Sequence, residues 1–339
     1  VKPSSGRAGI RALGAYAPAK IVTNKDLEAF MDTSDEWITS RTGIKRRHVA
    51  ADDEFTSHLA IHAVEDMIAR HGEGVLEGVD MVIVATNTPD ALFPATAALV
   101  QDHFKLNAGA FDVLTACSGW LYALSVARAY VDSGTCRKVL TIGAEALTKL
   151  IDWEDRSTAV LFGDGAGAAI IEAVPEGYGF KSFVLGSDGS GADHLHIQAV
   201  GKCLPSGKPL HPKLEMNGRE VFKFAVRVMN TATVDAVAKA GLASDDISLF
   251  VPHQANLRII DAARERLNLP PERVVVTVDE YGNNSTASIP LALVHALDDN
   301  RIHEGDNLLL VAFGGGLTWA ASVLTWGGFC EGHVGRGGA

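Results

Sequence analysis

The sequence predicts an α/β protein built from two copies of one unit, with mixed, mostly parallel central sheets under layers of helices. Three observations carry this. Short apolar runs at 81–85, 139–143 and 308–313 alternate with stretches of helical spacing, the pattern of strands buried on both faces. The order strand, helix, strand, helix recurs, since Asp80 and Cys117 are 37 positions apart and so are Ile247 and Asn284. At 339 residues and 47% hydrophobic, the chain is long enough to bury two such units. The halves are expected at 1–174 and 175–339.

Taken in order, residues 9–18 read as a strand ending in a turn, and Asn24 as the cap of a short helix. Thr33 or Ser34 caps the next helix, with Asp35 and Glu36 in its first turn and 37–41 following. Residues 81–85 are a buried strand, 86–94 a proline-bearing loop and 95–104 a helix. The apolar run 108–114 is a strand, and 118–132 has helical spacing at Leu121, Leu124 and Ala129. Cys117 therefore lies where a strand becomes a helix, and a helix N-terminus favours the thiolate. A small core cysteine is the plain alternative. Further on, 247–251, 274–276, 308–313 and 320–326 read as strands, and 218–240, 256–267 and 284–298 as helices.

Thirty Lys and Arg against 41 Asp and Glu give a net charge of −11, which argues against general nucleic-acid or anionic-membrane binding. Cys117, Cys136, Cys203 and Cys330 have no short spacing of the kind zinc or redox motifs use, so reduced thiols in the cytoplasm are expected. The N-terminal residues lack the apolar stretch of a signal peptide. Residues 307–330 carry no charge, but Gly314, Gly315, Gly316, Gly327 and Gly328 divide them into two strands rather than one membrane helix.

Ligands of such sheets gather at the carboxyl ends of the strands. There the chain offers Cys117, His253 after the run 247–251, the turn Tyr281-Gly282-Asn283-Asn284-Ser285, and the glycines 314–316. A nucleophile, two hydrogen-bond donors and backbone N–H groups suit acyl transfer through a thioester. Each alone has an ordinary reading: a structural histidine, a helix cap, a turn. Gly163-Asp164-Gly165-Ala166-Gly167-Ala168 fits the loose dinucleotide fingerprint, but a strand follows where a helix is required, so a tight hairpin is expected. His194 and His196 alternate as on one strand face, without a third metal ligand. No Gly-x-Ser-x-Gly elbow occurs.

Eight motifs in order make the chain resemble the β-ketoacyl-acyl-carrier-protein synthase III enzymes of the thiolase-like fold. They are Asp32 to Trp37, Arg41 to Ile44, Ala116 to Gly119, Asp155-Arg156, Phe162 to Gly167, His253 to Arg258, Gly282-Asn283 and Phe313 to Trp319. The resemblance implies Cys117 as nucleophile, His253 and Asn283 as its partners, and an oxyanion hole from the N–H groups of Cys117 and Gly315. It also implies a coenzyme A thioester as substrate, with no permanently bound cofactor, held by Thr33, Trp37, Arg41 and Arg156. Further implications are Phe93 reaching across a homodimer, acyl carrier protein as partner, and Lys223 and Arg258 as its docking residues. Asn284 stands where the family usually has Thr; Asn283 is preferred for catalysis because it follows Gly282 directly.

The reaction implied is decarboxylative condensation of an acyl-CoA with malonyl-acyl carrier protein. A degradative thiolase would want a second cysteine by the last glycines, and elongating synthases use two histidines. A polyketide starter synthase shares the Cys-His-Asn set and is the alternative within the fold. A cysteine hydrolase could use the same three residue types, and a binding protein would leave Cys117 unacylated.

Overall fold

The computed structural model describes residues 7–327; Cys330 and the tail beyond Gly327 lie outside the described residues, as do the first six. The chain runs β1 (Arg7–Tyr16), β2 (Lys20–Thr23), α1 (Asn24–Glu28), α2 (Asp35–Thr42), β3 (Arg46–Val49), α3 (Thr56–His71), β4 (Met81–Ala85), α4 (Thr96–His103), β5 (Gly109–Val113), α5 (Gly119–Asp132), β6 (Lys138–Glu145), α6 (Arg156–Ala159) and β7 (Gly165–Val174). It continues with β8 (Gly179–Ser187), β9 (Leu195–His196), β10 (Glu215–Met216), α7 (Gly218–Lys239), β11 (Leu249–Pro252), α8 (Leu257–Arg266), α9 (Val278–Tyr281), α10 (Ser288–Asp298), β12 (Asn307–Gly314) and β13 (Thr318–Thr325).

Two mixed sheets form the frame, ordered β1-β7-β6-β4-β5 and β11-β12-β13-β8. Beyond β11, Val274 bridges Phe250 in parallel, so both sheets repeat one order: outer parallel neighbour, central pair, two returning strands. The expected strand at 274–276 is reduced to this bridge, with Val275 N–H donating to Phe250 O at 2.9 Å. Parallel pairing is narrower than expected. It joins β4 to β5 and β6, and β11 to β12, while β1/β7, β6/β7, β12/β13 and β13/β8 are antiparallel. The glycine turn from β12 to β13 is too short for the crossover a parallel neighbour needs.

Helices α5 and α10 pack between the sheets. Leu121, Leu124, Ile289 and Leu293 share one core with Ile83 and Val139 of the first sheet and Val251 and Leu310 of the second. Helix α3 covers the outer face of the first sheet and α7 and α8 that of the second, which closes the layers. This burial on both faces explains why β6, β11 and β12 read as unbroken apolar runs.

Local readings differ in three places. Thr23, not Asn24, caps α1, in a capping box with Asp26. Asn24 is buried instead, donating to Ile44 O at 2.7 Å and accepting from Arg47 at 2.9 Å. Of the two caps offered for α2, Ser34 is the one used. Residues 163–164 lead from α6 into β7 with no hairpin; a Cβ at Gly163 would lie 2.5 Å from Tyr281 O, so glycine there permits close passage of the 281–284 turn. Finally, His194 ends a 3-10 turn and His196 lies in β9, so they do not share a strand. Among the described residues there is no metal-binding cluster of His, Cys, Asp and Glu, and no helix long and apolar enough to cross a membrane.

Candidate active site

Strand β5 ends at Val113, and a 3-10 turn over Ala116–Ser118 delivers Cys117 to the start of α5. Ala116 takes the left-handed conformation at φ 47°, a costly one for a residue with a Cβ, and Ser285 does the same at φ 48° on the facing turn. Both strained residues flank the thiol. The turn is tied down by Ser118 Oγ, which donates to Thr115 O at 2.8 Å, and by Thr318 Oγ1, which donates to the same carbonyl at 3.0 Å. Strand β12 ends directly against it: a Cβ on Gly314 would sit 2.5 Å from Cys117 N. Only glycine allows that approach, and it places the following Gly315 beside the nucleophile turn.

The thiol is not the pre-formed thiolate that a helix N-terminus suggests. Cys117 keeps some accessible surface, but withdrawal of its sulfur from water pushes the thiol up to about 12. A Ser285 hydrogen bond opposes the rise and the Glu145 charge adds to it. Burial outweighs the helix terminus here.

His253 follows β11 and is buried. Its Nδ1 meets Ser288 Oγ at 2.6 Å, its ring lies edge-on to Phe313 at 5.4 Å, and Nε2 has no partner. Burial pulls the imidazole down to about 3, so the ring is neutral. Asn283 is locked by its backbone, N–H to Leu161 O at 2.9 Å and C=O from Gly163 N–H at 3.1 Å. Its Oδ1 accepts from Ser285 N–H at 2.9 Å, which leaves the Nδ2 end free of protein partners among the described residues. Asn284 turns the other way, donating to Asp164 O at 2.9 Å. Asn283 thus keeps its amide nitrogen free while Asn284 spends its own on Asp164. Ser285 links the parts: it bonds Cys117 through its side chain and Asn283 through its N–H.

The model for 3-oxoacyl-[acyl-carrier-protein] synthase III matches residues 111–189, and that for its C-terminal part matches residues 237–326. The β-ketoacyl-[acyl-carrier-protein] synthase III of Deinococcus deserti is 52% identical over 329 residues, covering 96% of this chain and 94% of its own. The chain belongs to the β-ketoacyl-acyl-carrier-protein synthase III family. It is an acyltransferase, a condensing enzyme of the thiolase-like fold that starts fatty-acid synthesis. The crystal structure of the Thermus thermophilus synthase III superposes with a TM-score of 0.93 at 68% identity, covering 94% of this chain and 99% of that one. The priming β-ketosynthase of the R1128 polyketide pathway follows at 37% identity and TM-score 0.86, covering 96% and 98%.

Synthase III enzymes take acyl-CoA and malonyl-acyl carrier protein, and most of the residues expected to meet them are on or next to α2, α6, α7 and α8. Trp37 is half-buried on α2 with the Arg156 guanidinium 4.8 Å above its ring, and Arg156 also donates to Asp32 O at 2.7 Å. Thr33 Oγ1 is buried without a partner, and Arg41 is exposed at the end of α2, its carbonyl held by Asn256 at 3.1 Å. Lys223 on α7 and Arg258 on α8 are both exposed. Lys223 pairs with Glu220 at 2.7 Å, and Arg258 lies 5.3 Å over Phe222. Phe93 and Leu92 stand 84% and 72% exposed, unusual for such side chains.

Three residues escaped the sequence reading. Ser288 reads as part of a helix start, Ser285 as a turn residue, and Glu145 falls two positions beyond the strand expected at 139–143. Glu145 did leave a signal: a lone acid closing an apolar strand on the ligand side of the sheet.

Proposed function

We propose that this synthase condenses a short starter, acetyl-CoA or a close relative, with malonyl-acyl carrier protein, giving 3-oxoacyl-acyl carrier protein, CO₂ and CoA. The observation that carries the reading is a neutral, buried His253 whose Nε2 has no protein partner, beside an Asn283 whose Oδ1 is taken by Ser285 N–H and whose Nδ2 is free of protein partners among the described residues. Cys117 attacks the acyl-CoA carbonyl, its thiol proton goes to the departing CoA sulfur, and the acyl group stays on Cys117. Loss of CO₂ from the malonyl thioester then leaves an enolate. Its oxygen is held by Nε2–H of His253, with Nδ1 accepting from the Ser288 hydroxyl, and by Nδ2–H of Asn283. The enolate carbon attacks the acyl-Cys117 carbonyl, the N–H groups of Cys117 and Gly315 hold the oxyanion, and collapse expels the Cys117 thiolate, which takes a proton from water to restore the thiol. No carboxylate base is needed, because decarboxylation itself makes the nucleophile.

In this reading Trp37, Arg156, Arg41 and Thr33 hold CoA, and adenine stacks on Trp37 once the Arg156 contact opens. Lys223 and Arg258 receive the carrier protein. The chain acts as a cytoplasmic homodimer without a resident cofactor, metal or nucleic acid; Phe93 of each subunit walls the acyl pocket of the other, which would cover the exposed Leu92 and Phe93. The units 1–174 and 175–339 carry Cys117 and the His253/Asn283 pair respectively, a division the repeated sheet order supports.

The roles separate by variant. His253→Ala and Asn283→Ala should each cut malonyl decarboxylation about 10²-fold or more, the cost of a lost donor to a developing oxyanion, while Cys117 acylation persists. Released CO₂ and the Cys117 adduct are read side by side for acetyl-, isobutyryl- and longer acyl-CoA. Decarboxylation at the wild-type rate in both variants would refute these roles.

A further inference from the structure

Glu145 ends β6 with no accessible surface, and among the described residues no cation faces it. Its oxygens take Asn87 N–H at 3.2 Å, Asn87 Nδ2 at 2.5 Å, Thr88 Oγ1 at 3.0 Å and Thr286 Oγ1 at 3.3 Å. Asn87 Nδ2 also reaches Ser285 Oγ at 3.3 Å, and Ser285 bonds both Glu145 and Cys117. One polar string therefore joins a buried carboxyl to the thiol. The chemistry above gives Glu145 no task, although burying a carboxyl is expensive when nothing uses its charge.

We propose that Glu145 is a positioning residue that sets the reactivity of Cys117: protonated, it lets the thiol ionise, and ionised, it holds the thiol neutral through the Ser285 contact. Burial pushes the Glu145 carboxyl up to about 7 against the hydrogen bonds from Asn87, Thr88 and Ser285, so both forms are populated near neutral pH. Of the neighbouring titratable groups, Asp164 is also pushed up by burial, to about 6, so the Glu145 variant is what assigns a break in the profile to Glu145. Asp164, at the start of β7, accepts from Ala50 N–H and from Thr148 N–H at 2.8 Å, and Lys149 donates to Ala51 O at 2.7 Å. His253 is neutral throughout. Cys117 is the titratable group on which the Glu145 charge acts.

The test is the rate of Cys117 alkylation by iodoacetamide on unacylated enzyme, from about pH 5 to 9, read by mass spectrometry on the Cys117 peptide. In the wild type the logarithm of the rate should rise with pH, flatten near 7 as Glu145 ionises, then rise again on a lower line. Glu145→Gln should follow the low-pH line throughout and react on the order of tenfold faster near pH 9, one pKa unit. A wild-type profile without the break overturns the proposal even if the variant does not fold, and so does a break retained in Glu145→Gln. The inference rests on Cys117 being the site thiol; alkylation needs no acyl transfer, so the two readings can fail separately.

Discussion

His253 illustrates how burial decides the chemistry of a single side chain. An exposed imidazole titrates near 6.5, but this one is pulled down to about 3 because nothing compensates its loss of water. It is therefore a neutral ring at every physiological pH, and in the proposed function it donates from Nε2 in that state. Isotope-edited NMR of the His253 ring should show no titration between about pH 5 and 8; a midpoint near 6.5 would contradict the assignment. The sign for stability follows. A folded value below the unfolded one contributes stability that is held above about 6.5 and lost as pH falls toward 3. The sequence pointed to His253 through its place after an apolar strand. Its protonation state was not legible there, because desolvation depends on what packs around the ring, and Ser288 and Phe313 arrive from distant segments.

At the scale of elements, the site is made where strand ends abut. Gly314 is one of the close approaches, with β12 ending on the backbone of the Cys117 turn. Gly314→Val forces the turn away, so the variant should fold with a stability loss of about 1–3 kcal/mol yet lose roughly 10²-fold in acylation rate. Thermal melting and the acylation rate check this together; normal acylation in a folded variant would show the close approach to be dispensable. Most elements were readable as apolar runs and helical spacing, including Cys117 between β5 and α5. The misreadings arose where a local pattern met a tertiary demand. Asn24 has the composition of a cap but is spent on Ile44 and Arg47, and instead of a hairpin Gly163 serves a passing turn while Gly165 and Gly167 lie against Leu291 and Pro290 of α10. The run 274–276 looked like a full strand because apolarity alone does not reveal that it keeps one bridge to Phe250.

At the scale of the whole molecule, the net charge of −11 opposes approach of an acidic carrier protein, so docking depends on local cations. Lys223→Glu with Arg258→Glu should raise KM for malonyl-acyl carrier protein at least tenfold and weaken its salt dependence. Cys117 acylation from acyl-CoA should stay near normal; unchanged carrier kinetics at low salt would remove this surface from the account. The duplication was legible as equal spacings, and the common sheet order gives it a physical form; in the proposed function one sheet's strand ends supply the thiol and the other's supply its donors. The most direct test of that arrangement is time-resolved mass spectrometry of the Cys117 peptide, first with acetyl-CoA and then with malonyl-acyl carrier protein added. The account predicts an acyl adduct on Cys117 that disappears as 3-oxoacyl-acyl carrier protein forms. An adduct on another residue, or one on Cys117 that survives while product accumulates, would contradict it.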